Sequence, residues 1–253
     1  MDAVAPERLI EGDGTAETSW RHWLAAAAPP EKSLQQLLPF NARLVVVAPH
    51  PDDEVLACGG LMAGHATRGG DTLVIAVTDG EASHAGSTGH CASQLADRRR
   101  GESAEGMRRL GAVASNVLRL RLPDGHVDTH AEDLTRALTR VLLPSDVVVS
   151  TWRLDGHPDH EATGRAAANA CESARCRLLE APVWMWHWAA PGDSRVPWHR
   201  LVAMRLSPET VRRKQAALAA HATQLQWRGA DQPPVLGVAI LERAGRAGEY
   251  FFA

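Results

Sequence analysis

Cysteine is scarce in this chain of 253 residues, and no two of its cysteines stand in a CxxC spacing. The four are Cys58, Cys91, Cys171 and Cys176. A set this small and scattered excludes the disulfide framework of a small secreted protein. We therefore expect four free thiols.

The chain also lacks an excess of positive charge and a long apolar run. Its 27 Lys and Arg stand against 30 Asp and Glu, so the formal net charge is −3 and no basic stripe for nucleic acid is expected. The first residues, MDAVAPERLIEGDGTAE, hold no apolar core of signal-peptide length, and residues 25–28 are far too few to span a bilayer. We expect a cytoplasmic protein without a transmembrane segment.

Strand and helix signals alternate from Arg43 onward. This alternation predicts an α/β fold, a Rossmann-like three-layer αβα sandwich with a mostly parallel sheet. We expect residues 41–253 to form a single domain and residues 1–40 to be an N-terminal extension that packs on it. The predicted strands are Leu44–Val47, Thr72–Thr78, Asn116–Leu122 and Asp146–Thr151, and the predicted helices are Glu54–Arg68, Leu95–Leu110, Ala131–Leu143 and Ser207–Gln224.

Ionisable residues follow the first predicted strand, in the stretch PHPDDE at 49–54. Ligands bind at the carboxyl edge of parallel strands, because the loops diverge there. Acids in the first turn of a helix cap its N–H groups, which accounts for Glu54 but not for a histidine between two prolines. A neutral imidazole (His50) and a carboxylate (Asp53) can bind one zinc ion, which leaves the neighbouring Asp52 free to accept a proton.

The stretch GHPDH at 156–160 repeats this arrangement after the fourth predicted strand. Two such turns at one sheet edge favour a metal site over a pair of helix caps. A catalytic zinc site needs three protein ligands, an open position, a base and a donor near the developing oxyanion. The candidate ligands are His50, Asp53 and His160, the base is Asp52, the cationic donor is His157, and Asp159 would fix the tautomer of His157 and raise its pKa.

The two stretches resemble the LmbE-like, or PIG-L, zinc-dependent N-deacetylases, which remove acetyl groups from N-acetylglucosamine conjugates. The resemblance extends over about Arg43–Gln226, and its further landmarks are Arg99-x-x-Glu102, the turn Leu122–Gly125, Lys214, His221 and Gln224. It implies a metal ion on His50, Asp53 and His160. That ion is zinc or iron, since two nitrogens and one carboxylate suit both.

The resemblance also implies that Asp52 is the general base and that His157 stabilises or protonates the tetrahedral intermediate. Arg99 and Asp124 are candidates for binding sugar hydroxyls, and the alternatives, an ion-paired helix residue and a turn aspartate, stay open. Some relatives carry a tyrosine two residues before the histidine that matches His157, where this chain has Asp155. An anionic side chain would not stabilise an oxyanion, so that contribution must come from zinc, His157 or another residue.

The expected function is metal-dependent hydrolysis of the N-acetyl group of an N-acetylglucosamine-type conjugate, which gives acetate and a free amino sugar. Two alternatives stay open: an amidase for a longer acyl group on a glycoconjugate, and an inactive sugar-binding module on the same fold. The expected partner is an amino sugar, either a small molecule or one linked to a lipid or other aglycone. The sequence leaves open whether the chain forms a homo-oligomer.

Two further segments carry predictions. The stretch VWMWHW at 183–188 predicts a strand with three tryptophans on one face, which would pack on a helix or line a large acceptor pocket. Residues 81–94 predict a flap beside the site, with His84 and His90 not bound to the metal.

Overall fold

Seven strands form one sheet in the computed structural model, which describes residues 8–84, 91–112, 116–228 and 232–253. In chain order they are β1 (Leu44–Ala48), β2 (Thr72–Ala76), β3 (Val117–Arg119), β4 (Val147–Thr151), β5 (Arg177–Ala181), β6 (Leu201–Arg205) and β7 (Gly248–Phe252). The order across the sheet is β3-β2-β1-β4-β5-β7-β6, with β1 to β5 parallel and β7 antiparallel to both of its neighbours. The predicted mostly parallel α/β sheet is confirmed.

Helices connect the strands. In the described part of the chain they are α1 (Glu17–Ala27), α2 (Leu34–Leu37), α3 (Asp53–Thr67), α4 (Ala92–Leu110), α5 (Ala131–Val141), α6 (Pro158–Ala174), α7 (Met185–Trp188), α8 (Pro208–Leu218), α9 (Ala222–Leu225) and α10 (Val238–Ala244). The predicted last helix is divided into α8 and α9, and the strands β5, β6 and β7 were not predicted. None of the described helices combines the length and the apolar character that crossing a bilayer requires.

The helices lie on both faces of the sheet. Along β1, Val46 packs in one apolar core with side chains of α3, α4 and α8, while Val45 and Val47 pack in the other with side chains of α5 and α6. A strand that is buried on both faces is apolar throughout, which is why LVVVA could be recognised in the sequence. The result is the predicted three-layer sandwich.

The sheet order brings the two histidine-bearing loops together. Strands β1 and β4 are parallel neighbours, with Leu44 in register with Val147 and Val47 with Ser150. Both strands therefore end at the same edge, and the turns that follow them face each other across a crevice.

The N-terminal segment contacts the core through a cluster of aromatic side chains. Trp20 of α1 is fully buried, and its Nε1 atom donates a hydrogen bond of 2.7 Å to the carbonyl oxygen of Trp186. The two indole rings meet edge to face, with centroids 5.0 Å apart. Glu17 of the same helix forms a buried ion pair with Arg246, at 2.6 Å. That residues 1–40 form an extension distinct from a domain at 41–253 stays a prediction.

The prediction of a tryptophan-faced strand over 183–188 is wrong. The backbone N–H groups of Val183, Trp184 and Met185 donate to the carboxylate of Asp155 rather than to a neighbouring strand, and the chain continues into the short helix α7. The indoles of Trp184 and Trp186 accordingly do not share a face: Trp186 is buried in the core, whereas Trp184 lines a cavity.

Two smaller predictions can also be followed. The four cysteines are free, as expected. The predicted flap falls partly outside the described residues, which exclude positions 85–90 and with them His90. Two groups of described side chains could hold a metal ion, and His84 is in neither of them.

Candidate metal centre and active site

Three histidines from the two loops converge at the edge of the sheet. His50 follows β1, whereas His157 and His160 stand at the start of α6. The ring centroid of His50 lies 4.9 Å from that of His157 and 5.3 Å from that of His160. The parallel pairing of β1 with β4 thus brings together residues that are more than a hundred positions apart in the sequence.

The predicted ligand set has the geometry of a metal site. Ligand atoms of His50, Asp53 and His160 all lie within 4.8 Å of one another. Asp53 Oδ2 is 3.1 Å from His50 Nδ1 and 3.2 Å from His160 Nε2. Neighbouring ligands of a tetrahedral ion with bonds of about 2.1 Å are separated by roughly 3.4 Å, so these spacings fit a divalent cation.

A second group that could hold a cation comprises His50, His157 and Asp159. Its carboxylate is already engaged, because Asp159 accepts hydrogen bonds from the backbone N–H groups of Gly125 and Val127, at 2.7 and 3.1 Å. His157 Nδ1 likewise accepts one from the N–H of Asp159. Asp53 Oδ2 also accepts a backbone N–H, from His50 at 3.0 Å, but both histidines of the first group direct a ring nitrogen at this one oxygen, so the first group fits a cation better.

Charge interactions couple the three candidate ligands. Although burial favours the neutral acid, His160 and His50 hold the pKa of Asp53 well below its usual range. Burial likewise opposes the charged form of His160, but the carboxylates of Asp53 and Asp155 raise its pKa to about 9. A carboxylate that attracts two imidazolium rings in the absence of an ion is suited to share a metal cation with the same rings.

Asp155 positions His160, a role that the sequence did not indicate. This side chain is fully buried, and its Oδ2 atom lies 2.8 Å from His160 Nδ1. It also accepts the three N–H groups at the start of α7. A carboxylate on the outer nitrogen of a ligand histidine fixes the tautomer that leaves Nε2 free to bind a cation. Where some relatives carry a tyrosine, this chain thus has a carboxylate that contacts the outer nitrogen of the candidate metal ligand His160.

Asp52 is held in a strained backbone conformation beside the ligands. Its φ of 136° is rare for a residue with a side chain, and such strain persists only where the surroundings impose it. The Asp52 N–H donates to Glu54 Oε2 at 3.0 Å, and Ser103 donates to the other oxygen of Glu54 at 2.6 Å. Burial raises the pKa of Asp52 to about 7, against the opposing charge of Arg99. A carboxyl group with this pKa can accept a proton near neutral pH.

Arg99 is buried and contacts the turn that carries Asp52. Its Nη2 atom donates to the carbonyl oxygen of Pro51 and to Asp52 Oδ2, and its Nη1 atom donates to the carbonyl oxygen of Gly80 at 2.9 Å. Arg99 is thus ion-paired with Asp52, and it also lines the cavity beside the site, so its contact with a sugar stays a prediction. Gly80 permits the contact, because a Cβ atom there would lie 2.0 Å from Arg99 Nη1.

The structure differs from the prediction for His157 and Asp159. The carboxylate of Asp159 contacts His50 Nε2, at 3.1 Å, and two backbone N–H groups, while only its backbone N–H reaches His157. Burial and the charges of His160 and His50 lower the pKa of His157 to about 3, rather than raising it. His157 is therefore neutral. Since its Nδ1 accepts a hydrogen bond, the ring proton is on Nε2.

Asp124 reaches the site from the turn after β3. Its Oδ1 atom lies 3.2 Å from His50 Nε2, and its Oδ2 atom accepts a hydrogen bond from the N–H of Ala82. Burial opposes its ionisation, but the hydrogen bond with His50 lowers the pKa of Asp124 to about 2. Asp124 is thus an anion at the wall of the site.

A cavity of about 930 Å³ opens beside these residues. Its polar end is lined by His50, Asp52, Asp53, Arg99, Asp124, His157 and His160. The rest is lined mainly by residues 10–18 and 233–240. Ligand pockets of this size bind small molecules, so the candidate centre faces a space that can admit an organic substrate.

Known sequences relate this chain to deacetylases. The family described as PIG-L: GlcNAc-PI de-N-acetylase matches residues 45–171. A 1D-myo-inositol 2-acetamido-2-deoxy-alpha-D-glucopyranoside deacetylase of Rhodococcus jostii (strain RHA1) is 30% identical over 243 residues, covering 72% of this chain and 82% of that relative. The protein of the same name from Tsukamurella paurometabola is 28% identical over 250 residues, with 74% and 84% covered.

Solved structures share the fold of this chain. A conserved protein of Thermus thermophilus is 30% identical, with a TM-score of 0.53 over 72% of this chain and 79% of that one. A deacetylase of the teicoplanin biosynthesis pathway has a TM-score of 0.60 at 20% identity, over 83% and 97% of the two chains, which is a likeness of fold alone. The stretch that matches the family contains both histidine-bearing loops, and this chain belongs to the PIG-L family of de-N-acetylases.

Proposed function

We propose that this protein hydrolyses the N-acetyl group of an N-acetylglucosamine-type conjugate and releases acetate and the free amino sugar. The observation that carries the proposal is the position of Asp52, buried beside the metal-fitting group of His50, Asp53 and His160. Membership of a de-N-acetylase family and relatives named for a 2-acetamido sugar support the substrate class.

The metal ion is proposed to be zinc, held by His50, Asp53 and His160. Two imidazoles and one carboxylate form a common catalytic zinc set, and iron(II) accepts the same donors. When bound, the ion would act as a Lewis acid toward the acetyl carbonyl and increase the acidity of the attacking water. Asp155 would keep His160 in the required tautomer through the contact at Nδ1.

Asp52 is proposed to be the general base. Its carboxylate accepts a proton from the attacking water as the new carbon–oxygen bond forms. The protonated carboxyl then returns this proton to the departing nitrogen as the carbon–nitrogen bond breaks. Glu54 and Arg99 hold the carboxylate in place through the backbone and side-chain hydrogen bonds of the turn.

His157 is proposed to stabilise the developing oxyanion as a neutral donor. The hydrogen bond from the N–H of Asp159 to Nδ1 leaves the proton of the ring on Nε2, which can donate to the former carbonyl oxygen. This replaces the cationic role predicted from the sequence. Asp159 acts on His157 through its backbone, while its carboxylate orients His50. Arg99 and Asp124 line the cavity, where we propose that they contact sugar hydroxyls.

Acetate release by metal-loaded protein tests the proposal. The protein is stripped with a chelator, reloaded with zinc or with iron(II) under anaerobic conditions, and given methyl N-acetylglucosaminide. Acetate and primary amine are expected in equal amounts, only from the reloaded protein.

A pair of histidine variants provides the control. His160→Ala is expected to lose both metal and turnover, whereas His199→Ala, an exposed position away from the site, keeps both. Protein that binds the ion at the site but releases neither acetate nor a longer acid from the corresponding N-acyl glycosides would instead be a sugar-binding module.

A further inference from the structure

We propose that the cavity contains a second, apolar half, which binds an apolar aglycone of the conjugate. The inference rests on the proposed function, since the acetamido group must lie against Asp52 and the candidate ligands. The side chains that form this half are called the apolar wall and are Val235, Leu236, Val238, Ala239 and Ile240.

The apolar wall and the candidate centre belong to one continuous cavity. Its volume of about 930 Å³ is at the upper end of the range for small-molecule sites, which leaves room beyond one sugar ring. Leu56, near the start of α3, and Trp184, before α7, line the same cavity. A sugar whose acetamido group reaches Asp52 would therefore lie in a cavity that also offers apolar side chains to its other substituents.

Side chains of the apolar wall range from buried to exposed. Leu236 is 3% exposed, whereas Val238 is 74% exposed and the adjoining Leu241 36% exposed. A single exposed valine is ordinary on a protein surface. Here the exposed side chain belongs to the same cavity lining as the buried Leu236 and the half-buried Ile240, and a ligand that covered it would gain hydrophobic free energy.

Hydrogen bonds fix the segment that forms the apolar wall. The N–H of Leu236 donates to the carbonyl oxygen of Gln224 at 3.0 Å, and Arg228 Nε donates to that of Pro233 at 2.9 Å. Gln224 itself lines the cavity. The apolar wall is thus hydrogen-bonded to α9, which reduces the ordering that ligand binding there would require.

The chemistry of the apolar wall identifies its occupant. The relatives named above act on a sugar linked to inositol, a polyol whose hydroxyls need hydrogen-bonding partners. The aliphatic side chains of the wall provide none. Five aliphatic side chains on one segment of the lining instead favour an alkyl or aryl aglycone on the sugar.

Binding of reaction products tests the apolar wall without requiring turnover. The probes are the octyl and methyl glycosides of glucosamine, of one anomeric configuration and below the micelle-forming concentration, titrated by calorimetry into zinc-loaded protein. Each methylene that is fully buried strengthens binding by about fourfold, so partial burial of the octyl chain should make the octyl glycoside on the order of 10- to 100-fold tighter.

Matched variants locate the effect. Val238→Asp should reduce the ratio of octyl to methyl affinity by at least about tenfold, because it places a charge on the wall. Leu143→Asp makes the same kind of change at a position that is 51% exposed and lies outside the cavity lining, and it should leave the ratio unchanged. Equal affinity for the two glycosides in wild-type protein would overturn the inference.

Hydrolysis separates this inference from the proposed function. The octyl N-acetylglucosaminide should exceed its methyl counterpart in kcat/KM, mainly through KM. Equal hydrolysis of the two would support the deacetylase activity and contradict the aglycone site. If neither releases acetate while the octyl product binds tightly, the aglycone site is supported and the deacetylase activity is contradicted. A methyl glycoside with an N-octanoyl group that is a better substrate than the octyl N-acetylglucosaminide would assign the wall to the acyl chain and contradict the inference.

Discussion

Arg99 Nη2 lies 3.3 Å from Asp52 Oδ2, and the same atom donates a hydrogen bond of 2.8 Å to the carbonyl oxygen of Pro51. One guanidinium therefore holds both the backbone and the carboxylate of the strained turn. The charge of Arg99 also opposes the burial that raises the pKa of Asp52. Arg99 is thus placed to orient the proposed base.

Arg99→Lys should lower kcat about tenfold while metal content stays unchanged. Lysine keeps the charge but cannot donate to Asp52, Pro51 and Gly80 at once with a planar fork. Initial rates and zinc content measure the effect, and Arg108→Lys, on the exposed side of α4, is the control. A rise in KM with kcat unaltered would instead assign Arg99 to substrate binding alone.

Gly80→Ala tests the same contact from the opposite side. The added Cβ would meet the Arg99 guanidinium at 2.0 Å and also strain a backbone with a φ of +69°. We expect a loss of kcat at least as large as that of Arg99→Lys. Gly69→Ala, with a similar φ of +72° but open space around it and a position outside the cavity lining, should leave kcat unchanged.

Asp155→Asn should weaken zinc binding. An amide on His160 Nδ1 no longer selects the tautomer with a free Nε2, and loss of such a partner typically costs 10- to 100-fold in metal affinity. Competition with a chelating dye gives the affinity. Asp133→Asn, on the exposed face of α5, is the matched control. Unchanged affinity in a folded Asp155→Asn protein would contradict the assignment.

The ion pair of Glu17 with Arg246 predicts a pH dependence of stability. Burial opposes ionisation of Glu17, but Arg246 keeps the pKa of this carboxyl below its usual value. A lowered folded-state pKa means that the contribution is complete above the unfolded pKa, near 4.5, and is lost as the pH falls through the folded value.

Urea unfolding measures this loss between pH 6 and pH 3, a range that brackets the unfolded-state pKa of 4.5. Glu17→Gln should remove part of the pH dependence, because it leaves no carboxyl to titrate. Glu132→Gln, whose side chain is 94% exposed, should retain the wild-type curve. The same curve for both variants would mean that the ion pair does not couple the N-terminal helix to the core.

The sequence predicted the parallel part of the fold because its strands are buried on both faces and read as apolar runs. Strands β5 to β7 carry charged residues such as Arg177 and Glu249, and their pairing is decided by contacts far apart in the chain, so no local signal identified them. The alternating tryptophans misled for the same reason. Their helix depends on Asp155, a residue 28 positions or more upstream.

In the candidate site, too, local features could be predicted and features that depend on tertiary contacts could not. The first ligand pair and the base stand in one turn, and their roles could be proposed from spacing alone. The state of His157 could not, since it depends on burial and on the charges of two other histidines. Nor could the carboxylate behind His160, because Asp155 and His160 meet only once the loop before α6 has folded. Local motifs thus identify the participants, while tertiary contacts set their protonation.

Asp52→Asn, compared with wild type for zinc content and for acetate release from methyl N-acetylglucosaminide, tests the central claim most directly. The amide preserves the shape of the turn but cannot accept a proton, and none of the three candidate ligands is altered. We predict full zinc content with turnover reduced on the order of a hundredfold or more. Full turnover in Asp52→Asn would contradict the account.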